Sequence, residues 1–226
     1  MKAGESAGRP TGAETYTRKV LFAYDVFVLG VICPLVWRCP RAVMLALYNR
    51  NVGARHLDLG PGTGYFLHRC RFPVPDPAIT LVDLNTNVLR TAGARLARHE
   101  PDIRRADVLA PLDLDGEPYD SVGMNFLLHC LPGGMERKAT VFDHVRPHLR
   151  PGARVFGSTV LAHGVRHSGP ARKLIASFNE DETFHNSGDS LQALHTELGR
   201  RFADYRIQTR GSVALFEARM DERAAV

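Results

Sequence analysis

Leu57-Asp58-Leu59-Gly60-Pro61-Gly62-Thr63-Gly64-Tyr65-Phe66 is the stretch on which the reading of this chain turns. An apolar segment runs straight into three glycines, and Phe66 and Leu67 behind them begin a helix. Gly60 and Gly62 let the backbone turn sharply and approach a ligand with no Cβ in the way. In open α/β sheets such a loop lies beyond the carboxyl ends of the strands, where ligands bind. The spacing is Gly-x-Gly-x-Gly, whereas the dinucleotide fingerprint is Gly-x-Gly-x-x-Gly, and Tyr65 stands where its third glycine would be. Asp58, two residues before the first glycine, would repel a pyrophosphate and suits a ligand carrying a positive ammonium or sulfonium group. A nicotinamide or flavin site is therefore disfavoured.

Working outward, strands and helices alternate. His56–Leu59 reads as the first strand and Ile79–Val82 as a second, buried one. Asn85 or Thr86 caps a helix with Val88, Leu89, Ala92 and Leu96 on its apolar face, ended by Pro101. A short third strand around Ile103 runs to Asp107, and Tyr119–Phe126 is the fourth. Gly133-Gly134 opens a helix through Met135, Ala139, Phe142, Val145 and Leu149, kinked or cut short by Pro147. Pro151-Gly152 marks a turn into a fifth strand, Val155–Leu161. Asp189 with Gln192 forms a capping-box-like start for a helix carrying Leu191, Leu194 and Leu198. Tyr205, Ile207 and Thr209 alternate as a strand, and Gly211-Ser212 turns the chain into the last one, Val213–Ala218. A two-residue link cannot cross over, so this closing hairpin is antiparallel while the rest of the sheet is parallel.

Asp83 supplies the second half of the site. It ends the second strand, where a carboxylate can accept two hydrogen bonds from a ribose diol, and Leu84 can lie against an adenine ring. The plainer reading of Asp83 is a helix-capping acid. The glycine loop and Asp58 favour the ligand. Together these residues resemble the class I S-adenosylmethionine-dependent methyltransferases, well over residues 50–161 and more loosely over the closing hairpin. Leu57–Gly64 is similar to the family's first motif and Leu81-Val82-Asp83-Leu84 to its second. Ala106-Asp107-Val108 is similar to the third-strand end that holds the adenine amino group, and Leu149-Arg150-Pro151-Gly152 to the turn entering the fifth strand. The resemblance implies a Rossmann-like α/β fold with a seven-stranded, mostly parallel sheet and an N-terminal helical lid. Its cofactor is S-adenosyl-L-methionine, leaving as S-adenosyl-L-homocysteine. The cofactor-binding set it implies is Tyr24, Asp58, Gly60, Gly62, Gly64, Asp83, Leu84, Asp107, Val108, Asn125 and Phe126. The domain reading is a disordered tail over 1–14, a helical lid over 15–50 and the methyltransferase domain over 51–226. Helical patterning in the lid begins near Tyr16 and places Tyr16, Val20, Tyr24 and Phe27 on one face. Tyr24 and Arg38 are candidates for the cofactor's amino-acid part or the substrate, with packing as the plainer role for Tyr24 and Trp37.

Composition narrows the acceptor. The 226 residues suit one α/β domain, and 44% hydrophobic with 23% charged residues is an ordinary globular balance. The net charge of +5 comes from arginines scattered along the chain; no basic run argues for a nucleic-acid groove. Cys33, Cys39, Cys70 and Cys130 match neither a zinc nor a disulfide framework, so reduced thiols and a cytoplasmic setting are expected. The apolar run Val26–Trp37 is too short to span a bilayer and lies too far along to be a typical signal-peptide core. No metal is expected; His144 and His148, four apart, lack a third ligand and read as an exposed helix face. No Asn/Asp-Pro-Pro-Tyr/Phe motif follows the fourth strand, and no Pro-Cys dipeptide occurs, so nucleobase or glutamine acceptors are disfavoured. The expected reaction is methyl transfer to O, N or C of a small molecule in secondary metabolism, without nucleic-acid or membrane partner; a homodimer is compatible with it. An RNA or protein methyltransferase and a non-catalytic cofactor-binding module are the alternatives.

A hydroxyl or ammonium acceptor must lose a proton, which calls for a base. His129, just after the fourth strand, is the catalytic candidate, weighed against a polar residue that only lines the pocket. His163, a candidate substrate contact, and His167 follow the fifth strand and are further candidates for the base.

Overall fold

The computed structural model describes residues 27–221. Tyr16, Val20, Tyr24 and the expected tail over 1–14 lie outside them. Seven strands form one sheet: β1 Arg55–Leu59, β2 Ala78–Asp83, β3 Asp102–Arg105, β4 Tyr119–Asn125, β5 Leu149–Val160, β6 Asp204–Arg210 and β7 Val213–Arg219. Their spatial order is β3-β2-β1-β4-β5-β7-β6. Pairs β1–β2, β1–β4, β2–β3 and β4–β5 are parallel, while β7 runs antiparallel between β5 and β6. The order reverses at β1 and β4, so the loops leaving these strands part and leave a crevice at their carboxyl ends.

The helices are α1 Arg41–Asn51, α2 Tyr65–Arg69, α3 Thr86–Arg95, α4 Met135–Lys138, α5 Thr140–Val145, α6 Gly169–Glu180 and α7 Leu191–Arg201. They cover both faces of the sheet. Leu57, Leu59, Val122 and Met124 pack with Phe142, Val145, Leu194 and Leu198 on one side. Leu81, Phe156 and Leu215 pack with Met44, Leu47, Tyr48, Phe66 and Leu89 on the other. Asn85 caps α3, its side chain accepting from the Asn87 amide at 2.9 Å, and Val88, Leu89 and Ala92 are buried as their spacing predicts.

Several local expectations change. The helix expected from Gly133 breaks into α4, α5 and a 3₁₀ turn over Arg146–His148 that carries Pro147. β5 begins at Leu149, six residues before the expected start at Val155. Pro151-Gly152 is therefore an irregularity inside the strand: pairing with β4 shifts register there, and the Gly152 amide donates to Met220 O at 3.1 Å. The cap of α7 is Ser190, which accepts from the Ala193 amide at 3.0 Å. Asp189 is instead drawn into the core by Lys138, whose Nζ lies 2.6 Å from its Oδ2. His144 and His148 are not a bare exposed face; they donate to the carbonyls of Val108 and Leu112, both at 3.0 Å, and fix the loop after β3.

The apolar run before α1 forms a wide π-type helix over Val28–Val36, with Trp37 N donating to Ile32 O. Pro34 sits inside it without a donor to lose. The helix meets α1 at 106°. Among the described residues no single helix is long and apolar enough to cross a membrane. The seat of this segment is the β6–β7 turn. Ser212 N donates to Trp37 O at 2.9 Å, and Ser168 Oγ donates to Val36 O at 3.0 Å. Gly211 has φ +55, and a Cβ there would lie 2.0 Å from Trp37 O, so the turn tolerates only glycine.

The close approach of β4, β5 and β7 rests on Gly157, where a Cβ would meet Met124 O at 2.4 Å and Phe216 Cζ at 2.7 Å. Overpacking at such a site costs about 1–3 kcal/mol. Gly157→Ala is expected to lower the unfolding free energy, and with it the urea midpoint, by that amount of stability, while Gly169→Ala, with nothing within 4 Å, should change the free energy by less than about 0.5 kcal/mol. Equal midpoints for the two variants would refute the packing argument.

Candidate active site

The glycine loop takes the conformation its sequence demands: φ is +66 at Gly60, +57 at Gly62 and +73 at Gly64. Two of these glycines have distinct tasks. A Cβ on Gly64 would press on the backbone of Ala92 at 3.2 Å, so its absence lets the loop close onto α3. A Cβ on Gly62 would meet nothing within 4 Å, because that side opens into a cavity of about 530 Å³.

The cavity lies at the carboxyl ends of β1, β2 and β4. Gly60, Pro61, Gly62 and Thr63 form one wall, Asp83, Leu84, Asn85 and Val88 the next, and Ala106–Leu109 a third. Asn125, Phe126, Leu127, Cys130 and Leu131 bound it below β4, and Leu29 from the π-type helix reaches in from above. Arg137, Glu182, Thr183 and His185 complete its lining. Two non-glycine residues on these walls have left-handed backbones, Phe126 at φ +58 and Glu182 at φ +55. Such strain persists where surrounding structure holds it, and it clusters at functional sites.

Asp83 is held by the Asn85 amide, which donates to its Oδ1 at 2.7 Å. Burial pushes its carboxyl up to about 6, partly offset by the amides of Asn85 and Leu84. The Cys130 thiol is pushed up to about 12, chiefly by burial, so it stays protonated at neutral pH. Asn125 accepts from Ser158 Oγ and donates to Met44 Sδ at 3.7 Å.

The remaining residues expected at the site stand behind it or elsewhere. Asp58 is 1% exposed and is not on the cavity wall. Its Oδ2 accepts from Tyr48 OH at 2.8 Å and lies 3.2 Å from His56 Nε2. Tyr48 does line the cavity and stacks on Phe66, ring centroids 5.3 Å apart. Ser121 Oγ accepts from Gly53 N and lies 2.7 Å from His56 Nδ1. The serine proton therefore goes to Nδ1, and His56 offers its Nε2–H to Asp58. Gly64 is behind the wall, at the start of α2 and against Ala92 of α3. Arg38, at φ +56, is exposed beside the β6–β7 turn. His163 donates from Nε2 to Ser187 O at 2.9 Å, and His167 is tied to Ala162 O and Ser212 Oγ. None of the three lines the cavity.

His129 is 3% exposed and also lies behind the wall. Its Nδ1 accepts from the Val160 amide at 3.2 Å, and its ring meets Phe184 edge-on at 4.3 Å. Burial, with Lys138 adding to it, pushes its pKa down to about 3. Sequence reasoning missed Tyr48, Arg137, Glu182 and His185. Of these only Tyr48 carried a signal, a tyrosine in the helix directly before the first strand.

The open side of Gly62 and the desolvated carboxyl of Asp83 fit a nucleoside with a ribose diol, and the apolar surface of Leu84, Val88, Val108 and Leu109 fits its base. The chain's resemblances agree. Residues 57–155 match the family described as a methyltransferase domain. Demethylluteothin O-methyltransferase of Streptomyces thioluteus is 42% identical over 207 residues, covering 92% of this chain and 90% of its own. The physcion biosynthesis cluster O-methyltransferase of Aspergillus chevalieri is 36% identical over 212 residues, covering 92% of this chain and 94% of its own. The fold matches the S-adenosylhomocysteine complex of DhpI with a TM-score of 0.64 at 17% identity, over 94% of this chain and 97% of that one. With a sheet of this order, a glycine bend opening on an acidic cavity and relatives this close over nearly its whole length, the chain belongs to the S-adenosylmethionine-dependent methyltransferases that modify small molecules.

Proposed function

We propose that this enzyme methylates a hydroxyl oxygen of a small secondary metabolite, with the glycine-loop end of the cavity for the cofactor and the Arg137–His185 end for the acceptor. The observation that carries the reading is the placement of Gly62, Asp83 and Asp107 on adjoining walls of one cavity. The two O-methyltransferase relatives support oxygen as the acceptor atom. In this reading Asp83 accepts from the ribose hydroxyls and Leu84 lies on the adenine. Asp107 and Val108 meet the adenine edge, while Gly60, Gly62, Asn125 and Phe126 surround the amino-acid part. Asp58 acts through Tyr48 rather than by contact. S-adenosylmethionine supplies a methyl group on sulfur that is already positive, so the protein's contribution is alignment, exclusion of water and removal of the acceptor proton. Four free cysteines support a cytoplasmic setting, and scattered basic residues support the absence of a nucleic-acid partner. Turnover of a panel of phenols, enols, amines and carboxylates, read as S-adenosylhomocysteine formed, tests the reaction; methyl transfer confined to amines would refute it.

Accepting two hydrogen bonds requires Asp83 ionised. Its raised pKa means protonation competes with ligand below about pH 6. Affinity for S-adenosylhomocysteine should be level above pH 7 and fall about tenfold per pH unit below 6. Asp83→Asn should bind at least about tenfold more weakly at pH 7.5, since hydrogen bonds to a charged group are worth about 1.5–3 kcal/mol, and should lose this pH dependence. Calorimetry giving the same acid slope for both proteins would remove Asp83 from the site.

We assign His129 a structural role. Its Nδ1 is committed to a backbone amide, and its ring stays neutral down to about pH 3. A histidine with a folded pKa below its unfolded value of about 6.5 binds fewer protons when folded, so stability is lost as pH falls from 6.5 towards 3, by about 1.4 kcal/mol per unit. His129→Asn keeps an acceptor for Val160 and removes the titration. The stability of wild type minus variant should shrink by about 3 kcal/mol between pH 6.5 and 4 in urea unfolding. A difference that stays constant would mean His129 titrates normally.

A further inference from the structure

We propose that His185 is the group that takes the proton from the acceptor hydroxyl; this rests on the O-methyltransferase reading above. Of the ten histidines in the chain, His185 alone lines the cavity. The rings of His56, His129, His144, His148, His163 and His167 are each tied to a backbone or side-chain partner. The imidazole of His185 has no hydrogen-bond partner among the described residues, although its backbone is pinned twice. Its amide donates to His129 O at 2.8 Å, and its carbonyl accepts from Lys138 Nζ at 2.8 Å.

Lys138 is fully buried and reaches Asp189 as well. Burial lowers the pKa of Lys138 and raises that of Asp189, each resisted by its partner. The pair joins α4 to the loop before α7, so the segment carrying His185 is fixed against the turn that follows β4. Lys138 and Asp189 are thus positioning residues, and they leave the ring free to turn towards a ligand beside Phe126.

The step balances without any further reactant. The acceptor oxygen forms a bond to the methyl carbon as the carbon–sulfur bond breaks, its pair passing to sulfur, and the hydroxyl proton moves to the imidazole. Positive charge thereby leaves sulfur and appears on His185. Charged or titratable groups around the ring are Glu182 of its own loop, Arg137 and Lys138 of α4, Asp189 before α7, and His129 and Cys130 of the turn after β4. Among the cavity's other groups, a carboxylate such as Glu182 is intrinsically a weaker base than imidazole at neutral pH. Imidazole is a base strong enough to take the proton of a phenol or an enol, whose conjugate anions are delocalised, but not that of an aliphatic alcohol. The structure thus assigns an acidic, conjugated hydroxyl as the acceptor class.

The test needs no knowledge of the acceptor. Calorimetry first establishes that S-adenosylmethionine and S-adenosylhomocysteine bind, and failure there sinks the family-based reading rather than this one. The His185 ring resonance, assigned by its loss in His185→Gln, is then titrated by NMR in both complexes. The two ligands differ by a methyl group and one positive charge. A ring beside the sulfonium should show a pKa lower by about half a unit or more in the S-adenosylmethionine complex. Equal pKa values in the two complexes would overturn the proposal. With any phenol or enol that is turned over, His185→Gln should reduce kcat by about 10²–10⁴-fold, abolish its acid limb and leave S-adenosylhomocysteine affinity unchanged. An acid limb abolished by Glu182→Gln and retained in His185→Gln would also overturn it.

Discussion

The carboxyl of Asp58 is the constraint around which the site is arranged. It sits in the sheet directly under the glycine bend and takes its hydrogen bonds from α1, through Tyr48, and from its own strand, through His56. A buried acid with no such donors would cost several kcal/mol. The donors have to arrive in fixed positions, so Tyr48 ties α1 to β1, and Ser121 ties β4 to the same cluster through His56. Space for it is made by Gly123, where a Cβ would lie 2.9 Å from Asp58 Oδ2. The cluster locks the three elements whose ends border the glycine-loop side of the cavity, and it presents Tyr48, not the acid itself, to the cavity.

This explains which parts of the molecule could be read from the chain. Strand positions and the antiparallel end follow from local facts: Val-, Ile- and Leu-rich runs, the bend at Gly60–Gly64 and the two-residue link at Gly211-Ser212. These are decided within a few residues and survive folding unchanged. Asp83 lies at the cavity because a strand end has only one place to go in such a sheet. Asp58 could not be placed from sequence, because the choice between ligand and Tyr48 depends on a helix packed across it. The same limit applied to Asp189, which has the spacing of a cap but is claimed by Lys138, 51 residues away. His185 sits in a polar stretch with no periodicity. Its position is set by two backbone hydrogen bonds that no side-chain pattern records.

The segment that leaves the π-type helix meets the β6–β7 turn at the top of this arrangement. The β6–β7 turn carries a glycine against Trp37 O, and Ser212 donates to that same oxygen. Trp37 is buried there and faces Phe184 at 6.2 Å between ring centroids. Phe184 is the neighbour of His185 and also touches His129 and Phe178. The helix above the cavity and the loop carrying His185 therefore meet in one aromatic contact, and the closing hairpin seats the same tryptophan through its backbone. A change in the seating of the N-terminal helix would be felt first at Phe184, one residue from the ring of His185.

The electrostatics of the cavity are graded in a way that suits a reaction in which charge moves. On the walls that follow β2 and β3 the titratable groups are acids, Asp83 and Asp107, which suit a positive ligand. Towards the acceptor end stand Arg137 and, behind the wall, Lys138, which is balanced by Asp189. His129 is kept neutral by burial close to that lysine, so no second imidazolium forms behind the first. A proton released at the acceptor is then best received by a ring that is partly exposed, can be solvated once charged, and is flanked by Glu182. In the proposed reaction methyl and positive charge travel together, away from the acids Asp83 and Asp107 and towards a ring that can be solvated once charged.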